Sequence, residues 1–254
     1  MTALGGVVRG PAISIAGLVA GALVWQLIGA HTQASSFATF TATCSALWAM
    51  TKSGELPRAL ESSLELFGIG LAFAVVIGFF GGLLLARVRV LRVGLEPYIV
   101  MLYATPMFAL IPFILSLFGF ELRAKVIVVA LFGVWPILIN TTEGARSVNA
   151  DLLEVAESYR SNERQLWRHV IIPYTLPYTM TGVRQGIARS LIGVLASEYL
   201  LAATGLGNLI LTYTNRFDTA RVLAAVLVIT LLATFLMAVG RALENYFARW
   251  KAGV

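Results

Sequence analysis

Long apolar runs alternate along this chain with short polar connections, and the runs predict helices at roughly residues 11–30, 62–86, 96–118, 124–142, 176–203 and 220–243. Each is about the 20 residues a helix needs to cross the hydrocarbon of a bilayer. The fold class that follows is all-α and transmembrane, with about six membrane helices in a single domain covering residues 1–254. Between the first two runs, Thr32 to Glu61 mixes Ser and Thr with Phe37, Phe40, Leu47 and Trp48. That segment is too polar to span and is expected to lie as an amphipathic piece on the outer membrane surface. No internal repeat and no low-complexity linker marks a second domain.

The main polar interruption is Asp151 to Pro177, DLLEVAESYRSNERQLWRHVIIPYTLP. Asp151 followed by Glu154 has the spacing of a helix start, with Asp as cap and Glu in the first turn. Leu152, Val155, Ala156 and Tyr159 recur at three- and four-residue steps and form one apolar face. A second start follows at Asn162 with Gln165, and Leu166, Trp167 and Val170 make another apolar patch. Pro173 is expected to end it, because proline disfavours helix at the residue before it. The product is two short helices with a bend near Arg160–Ser161. Such a pair can enter a groove on a partner, with Glu154 and Arg164 or Arg168 setting orientation. An interfacial helix on lipid headgroups accounts equally well for the arginines and Trp167.

Composition supports the membrane reading. The chain is 58% apolar and 13% charged, against about 25% charged for a soluble domain. Its net charge of +6 belongs at membrane ends, since no basic run interleaves with aromatics as a nucleic-acid surface would. With the N-terminus inside, Arg9, Arg87, Arg89, Arg92, Arg146, Arg160, Arg164, Arg168, Arg241, Arg249 and Lys251 fall in cytoplasmic segments. Lys52, Arg58, Arg123, Lys125, Arg216 and Arg221 fall outside, a bias of eleven to six. Both termini and the 151–177 loop are therefore expected in the cytoplasm. Pro11 to Ala30 is long enough to span and is preceded only by Arg9, which argues against a cleaved signal. Cys44 is the single cysteine, and His31 and His169 lie far apart, so neither a disulfide nor a metal site is expected. None of Lys52, Lys125 and Lys251 follows a glycine, so no phosphate-binding Gly-Lys loop exists.

Polar groups within the predicted spans are costly and usually face protein or a watery cavity. Arg184 and Glu198 lie within about 40° in azimuth on the fifth span, whereas Arg189 points about 140° from Arg184. At least one of them must then pair with another helix, and Arg184 alternatively snorkels to the interface. Glu198, near the outer end, is either a pathway residue or an interhelical hydrogen-bond partner. Asn140 is expected to bond across helices. Pro106 and Pro112 in the third span and Pro136 in the fourth predict kinks. A rival reading is an ion-coupled secondary transporter or channel using Glu198 and Arg189. Another is a membrane enzyme in which Glu143, His169 and Glu198 converge.

One spaced set of residues carries a family resemblance. Glu154-Val155-Ala156 with Pro173 nineteen positions on is similar to the "EAA" loop of binding-protein-dependent ABC importer permeases. The likeness continues through Val170-Ile171-Ile172-Pro173, Leu176-Pro177, Thr181-Gly182-Val183-Arg184, Ala188-Arg189, Ser197-Glu198 and Gly205-Leu206-Gly207, and resembles most the nitrate/sulfonate/taurine branch. The resemblance implies that residues 151–173 form coupling helices on a separate ATPase, with Glu154, Ala156, Tyr159, Arg160, Arg164, Leu166 and Pro173 at the contact. It implies that the third span lines the translocation path, with Thr105, Met107 and Phe108 as contacts and Glu198 as a further candidate. Asn140, Arg184 and Arg189 become structural polar residues. The family usually has glycine at the inter-helix turn where this chain has Arg160, which predicts a modified bend. Expected partners are two ATPase subunits, a second permease copy or paralogue, an extracytoplasmic solute-binding protein and the lipid bilayer. ATP and magnesium would sit on the ATPase, with no cofactor in this chain. The expected location is the cell membrane of a prokaryote, and the expected cargo a small anion such as nitrate or a sulfonate, or a small heteroaromatic compound.

Overall fold

The computed structural model describes residues 4–33, 36–201 and 204–248. Among these every regular element is helical. In chain order they are α1 (Leu4–His31), α2 (Phe40–Lys52), α3 (Glu55–Arg87), α4 (Arg89–Ala104), α5 (Met107–Phe118), α6 (Leu122–Arg146), α7 (Ala150–Ser158) and α8 (Glu163–Leu166). A π turn (Trp167–Ile171) then leads into α9 (Ile172–Leu201), followed by α10 (Leu206–Asn215) and α11 (Thr219–Ala248). Of the basic residues counted for orientation, Arg249 and Lys251 lie outside the described residues.

Helices α1, α3, α6 and α11 are each long and apolar enough to cross a membrane, and the bent pair α4–α5 passes the same test when its two halves are taken together as one broken span. At 30 residues α9 is long enough, but Arg184, Arg189 and Glu198 lower its hydropathy. Those charges are tolerable because α9 lies between α6 and α11 and turns most of its circumference to protein.

Close packing of α3, α6 and α9 forms the centre. Lipid is as apolar as leucine, so helices in a bilayer associate through fit rather than through exclusion of water. Small residues supply that fit. A methyl group added at Gly78 or Gly82 of α3 would come within 2.8 Å of Ile137 or 2.7 Å of Thr141 on α6, and one at Gly182 of α9 would meet the Pro136 carbonyl at 2.8 Å. Around these contacts Phe67, Ala74, Val129, Ile137, Val183 and Val194 interlock. Thr142 Oγ1 donates to the Gly82 carbonyl at 3.2 Å, and Thr141 and Thr179 hydroxyls meet at 3.0 Å.

Three expectations about elements need correction. The third span is not one kinked helix. It breaks at Thr105–Pro106, and α4 and α5 meet at 103°. Thr105 is driven to extended backbone (φ −65°, ψ 134°) by the proline ring that follows, and Pro106 has no N–H with which to continue the ladder. Pro112 and Pro136, by contrast, remain inside continuous helices. The segment between the first spans is not simply laid on lipid either. Thr39 caps α2 by accepting from the Ala42 N–H, and α2 buries Thr43 and Met50 against protein, chiefly α11 and α3. Finally, Pro173 does not end the loop's second helix. The chain widens into the π turn, where the Ile172 N–H reaches back to the Trp167 carbonyl, and passes through Pro173 into α9. A wider turn is how a helix accommodates an irregularity in its hydrogen-bond ladder.

Candidate coupling and translocation sites

At one end of the bundle, α7 and α8 project as a helical hairpin. Asn149, two residues before the expected cap, accepts from the Asp151 N–H and starts α7. Asp151 therefore sits in the first turn, and Glu154 two positions deeper in the helix than its spacing suggested, in the second turn. The helix ends in a complete Schellman pattern: Ser161 N–H donates to the Ala156 carbonyl at 3.0 Å and Arg160 N–H to Glu157 at 2.7 Å. Arg160 occupies the left-handed position, φ 49°, where glycine is normally favoured. The modified bend thus keeps the glycine geometry with a residue that pays for it in strain. Arg160→Gly is expected to stabilise the hairpin locally by about 0.5–1 kcal/mol, the strain relieved less the glycine entropy. Amide exchange in α7 should slow about two- to fivefold. Faster exchange would mean that the arginine side chain itself holds the bend.

Asn162 and Gln165 form a reciprocal capping box, with both bonds at 2.9 Å, as their three-residue spacing predicts. Arg87, at the end of α3, ties the hairpin to the bundle. It reaches Glu163 at 2.6 Å and lies over the Trp167 ring at 5.9 Å. Both partners of that ion pair are exposed, so it orients the hairpin more than it stabilises it.

The apolar face of α7 divides in two. Ala156, at one edge of that face, is buried, while its neighbours Leu152, Val155 (53% exposed) and Tyr159 (83% exposed) are open. Glu154, Arg164 and Arg168 are exposed, Leu166 is half-buried, and Pro173 is half-buried at the start of α9. The structure therefore leaves Leu152, Val155 and the capping Tyr159 open along one side of α7, sets Glu154 on another exposed side, and buries Ala156 wholly and Leu166 in part.

At the opposite end, Glu198 is fully buried. Its carboxylate accepts from the Ser63 hydroxyl at 2.7 and 2.9 Å and from the Gly207 N–H at 2.9 Å, while the Leu206 N–H donates to Ser63 at 2.9 Å. A negative group thus receives the first amides of α10, where the helix dipole favours it. The buried Lys125 ammonium acts on the same carboxylate. Gly205 (φ 98°) and Gly207 let the backbone pass so closely that a methyl group on Gly205 would collide with the Glu198 carboxyl. Nearby, Tyr213 donates to both Glu55 oxygens at 2.7 Å. Burial, reinforced by that bond and the Glu55 charge, holds the tyrosine pKa above its ordinary value and keeps the donor proton in place. This latch joins α3, α9 and α10.

The other intramembrane polar residues are separated. Arg184 Nε lies 2.6 Å from Glu244 Oε2 on α11, a charge contact without hydrogen-bond alignment, and Thr181 Oγ1 donates to the other Glu244 oxygen at 2.7 Å. Asn140 bonds within its own helix, to the Pro136 carbonyl at 2.7 Å, rather than across helices. The close approach of Gly182 beside it leaves room for little else. The Arg189 guanidinium carbon lies over the Tyr103 ring, 4.3 Å from its centroid. Thr105, at the α4–α5 elbow, donates back to the Met101 carbonyl and is half-buried; Met107 is buried in the α5–α6 contact, and Phe108 is exposed.

Neither rival constellation assembles. Glu198 and Arg189 each bond elsewhere, and His169 and Glu198 stand at opposite ends of α9. Sequence reasoning missed Ser63, Tyr103 and Glu244. Ser63 was hidden at the start of an apolar run, and Glu244 lay just past the predicted end of the last span.

Comparison with known proteins agrees with this geometry. Residues 74–251 match the family of binding-protein-dependent transport system inner membrane components. The riboflavin transport system permease protein RibX of Chloroflexus aurantiacus is 36% identical over 66% of this chain, a match that spans 62% of the relative. The formylaminopyrimidine transport permease protein ThiX of Halalkalibacterium halodurans is 31% identical over 76% of this chain and 77% of its own. Permeases named for aliphatic sulfonate, nitrate and bicarbonate transport match as well, in keeping with the nitrate/sulfonate branch. Among solved structures, a chain of the MetNI methionine ABC transporter in an inward-facing form superposes with a TM-score of 0.67 at 17% identity, covering 78% of this chain and 98% of that one, which is a likeness of fold. The all-helical bundle, its projecting helical hairpin and the sequence match together make this chain a member of the inner-membrane components of binding-protein-dependent ABC transport systems.

Proposed function

We propose that this permease subunit imports a small solute, works as a pair with a second copy or paralogue, and is driven by separate ATPase subunits seated on α7. The observation that carries the reading is the open apolar face of α7: Leu152, Val155 and Tyr159 project from a helix that the rest of the chain leaves uncovered on that side. An apolar ridge flanked by Glu154 suits a groove on a partner, with the charge fixing orientation. Charge bias supports placing this end, and both termini, in the cytoplasm of a prokaryotic cell. ATP and magnesium are bound by the ATPase, and movement of the hairpin opens the path to alternate sides. A binding protein delivers solute to the opposite face.

The path itself runs along the elbow at Thr105–Pro106, with Met107 and Phe108 beyond it, and along the open stripe of α9. Glu198 serves as the latch in its wall, since it is fully buried and its oxygens are held by Ser63 and the Gly207 amide. Purification of the tagged chain from its native membrane tests the assembly. Two permease and two ATPase subunits should elute together, with ATP hydrolysis raised by the binding protein. A stable monomer active in transport would overturn the reading.

A further inference from the structure

Helix α9 is buried on most of its circumference, yet one stripe along it stays open. Gln185, Arg189, Ile192 and Tyr199 follow at steps of four, three and seven residues, and lie within about 80° of azimuth. Gln185, Ile192 and Tyr199 are exposed, and Arg189 is half-buried. Lipid does not suit this stripe, because a glutamine and an arginine near the middle of a 30-residue crossing helix belong against protein or water. It faces the same side as the α4–α5 elbow, since Arg189 reaches Tyr103 in the last turn of α4, just before Thr105.

Arg189 differs from the chain's other intramembrane arginine. Arg184 has Glu244 beside it. Among the described residues no carboxylate lies within ion-pair distance of Arg189, and what holds it is the Tyr103 ring at 4.3 Å. A cation–π contact holds the charge over the ring without providing an acceptor oxygen for the guanidinium N–H groups. Those donors match a planar or tetrahedral oxyanion, which they can grip two at a time. A cation retained at membrane depth without a counter-charge is costly unless a passing anion supplies one.

We propose that Arg189, held over the Tyr103 ring, is the specificity-determining residue of the translocation path and selects small oxyanions: carboxylates, sulfonates or nitrate-like ions. This rests on the reading that the elbow and the α9 stripe line that path. Tyr103 is a positioning residue, acting through Arg189. Two copies facing one another would present two such arginines to a single route.

Cys44 is the chain's one cysteine, so Cys44→Ser gives a permease without thiols, and cysteines of the partner subunits are replaced likewise. Thr105→Cys or Gln185→Cys, which leave the Tyr103–Arg189 contact in place, is added, and the complex with its ATPase is kept in membrane vesicles. Each thiol is treated with an anionic and a cationic methanethiosulfonate, sulfonatoethyl and trimethylammonioethyl, with rates normalised to those for free 2-mercaptoethanol. The anionic reagent should be favoured about tenfold by a neighbouring positive charge. Adding Arg189→Gln should erase that preference, while Arg189→Lys, which keeps charge but loses the fork, should retain most of it. In the complex otherwise unaltered, the same two substitutions should separate uptake of ethanesulfonate, nitrate or bicarbonate, whichever is carried, with Gln the more damaging. Thiols that react without charge preference, or with a preference that Arg189→Gln leaves in place, would overturn the oxyanion assignment and leave the path standing. Thiols inert to both reagents would overturn the path and the assignment with it.

Discussion

Val155→Asp should strip the ATPase subunits from the complex while leaving the permease folded and inserted. Val155 is more than half exposed and packs against nothing in its own chain that an aspartate would disturb. An exposed surface change ordinarily moves stability by no more than about 0.5 kcal/mol. Against a partner the same residue would place an unpaired carboxylate in an apolar contact, at a cost of about 3–5 kcal/mol. That is a loss of roughly two to four decades in affinity. Membrane level, ATPase retention and binding-protein-stimulated hydrolysis separate the two outcomes. Glu154→Lys should act more mildly on retention and more strongly on coupling. Glu154 lies beyond the first turn of α7, so the helix-dipole contribution lost is at most about 0.3 kcal/mol, whereas a reversed partner contact costs about 2–5 kcal/mol. Normal retention and hydrolysis in both variants would return α7 to an interfacial helix.

The second large effect is expected at the opposite end. Gly205→Ala should destabilise the bundle by about 3 kcal/mol or more, since it combines a left-handed backbone with a collision. The colliding atoms belong to Glu198, which cannot swing aside without releasing Ser63 and the Gly207 amide. A buried carboxylate stripped of those donors has no other solvation. Gly68→Ala provides the contrast: Gly68 lies inside α3, nothing sits within 4 Å of the added methyl, and helix propensity favours alanine by about 1 kcal/mol. Thermal unfolding in detergent should show a clear fall for the first and none for the second. Equal melting temperatures would mean that the latch bears no load.

Local physics explains which parts of this architecture were legible from the chain alone. Long apolar runs mark crossing helices because lipid leaves a backbone no alternative, and five of the six predicted runs correspond to a single helix each. The capping box at Asn162 and Gln165 was readable because its bonds close over three residues. Pro106 announced an irregularity, but not its size. Whether a proline kinks a helix or breaks it at 103° depends on what surrounds the freed backbone, which sequence does not display. The latch was beyond local reading altogether, since Ser63 and Glu198 are 135 residues apart. Arg184 illustrates the same limit: the spread of azimuths demanded a partner for at least one charge of that span and left Arg184 free to snorkel, and only packing of α11 on α9 identifies Glu244.

The claim at the centre of this account is that α7 faces an ATPase and not the headgroups of the membrane. Tyr159, the exposed residue that caps that helix, offers the direct test. A photo-crosslinking amino acid introduced at position 159 in living cells, followed by mass spectrometry of the adduct, reports what touches it. The account predicts one dominant protein adduct, to a subunit with a nucleotide-binding Gly-Lys loop, whose yield changes when ATP is depleted. Adducts to phospholipid alone, unaffected by ATP, would contradict it.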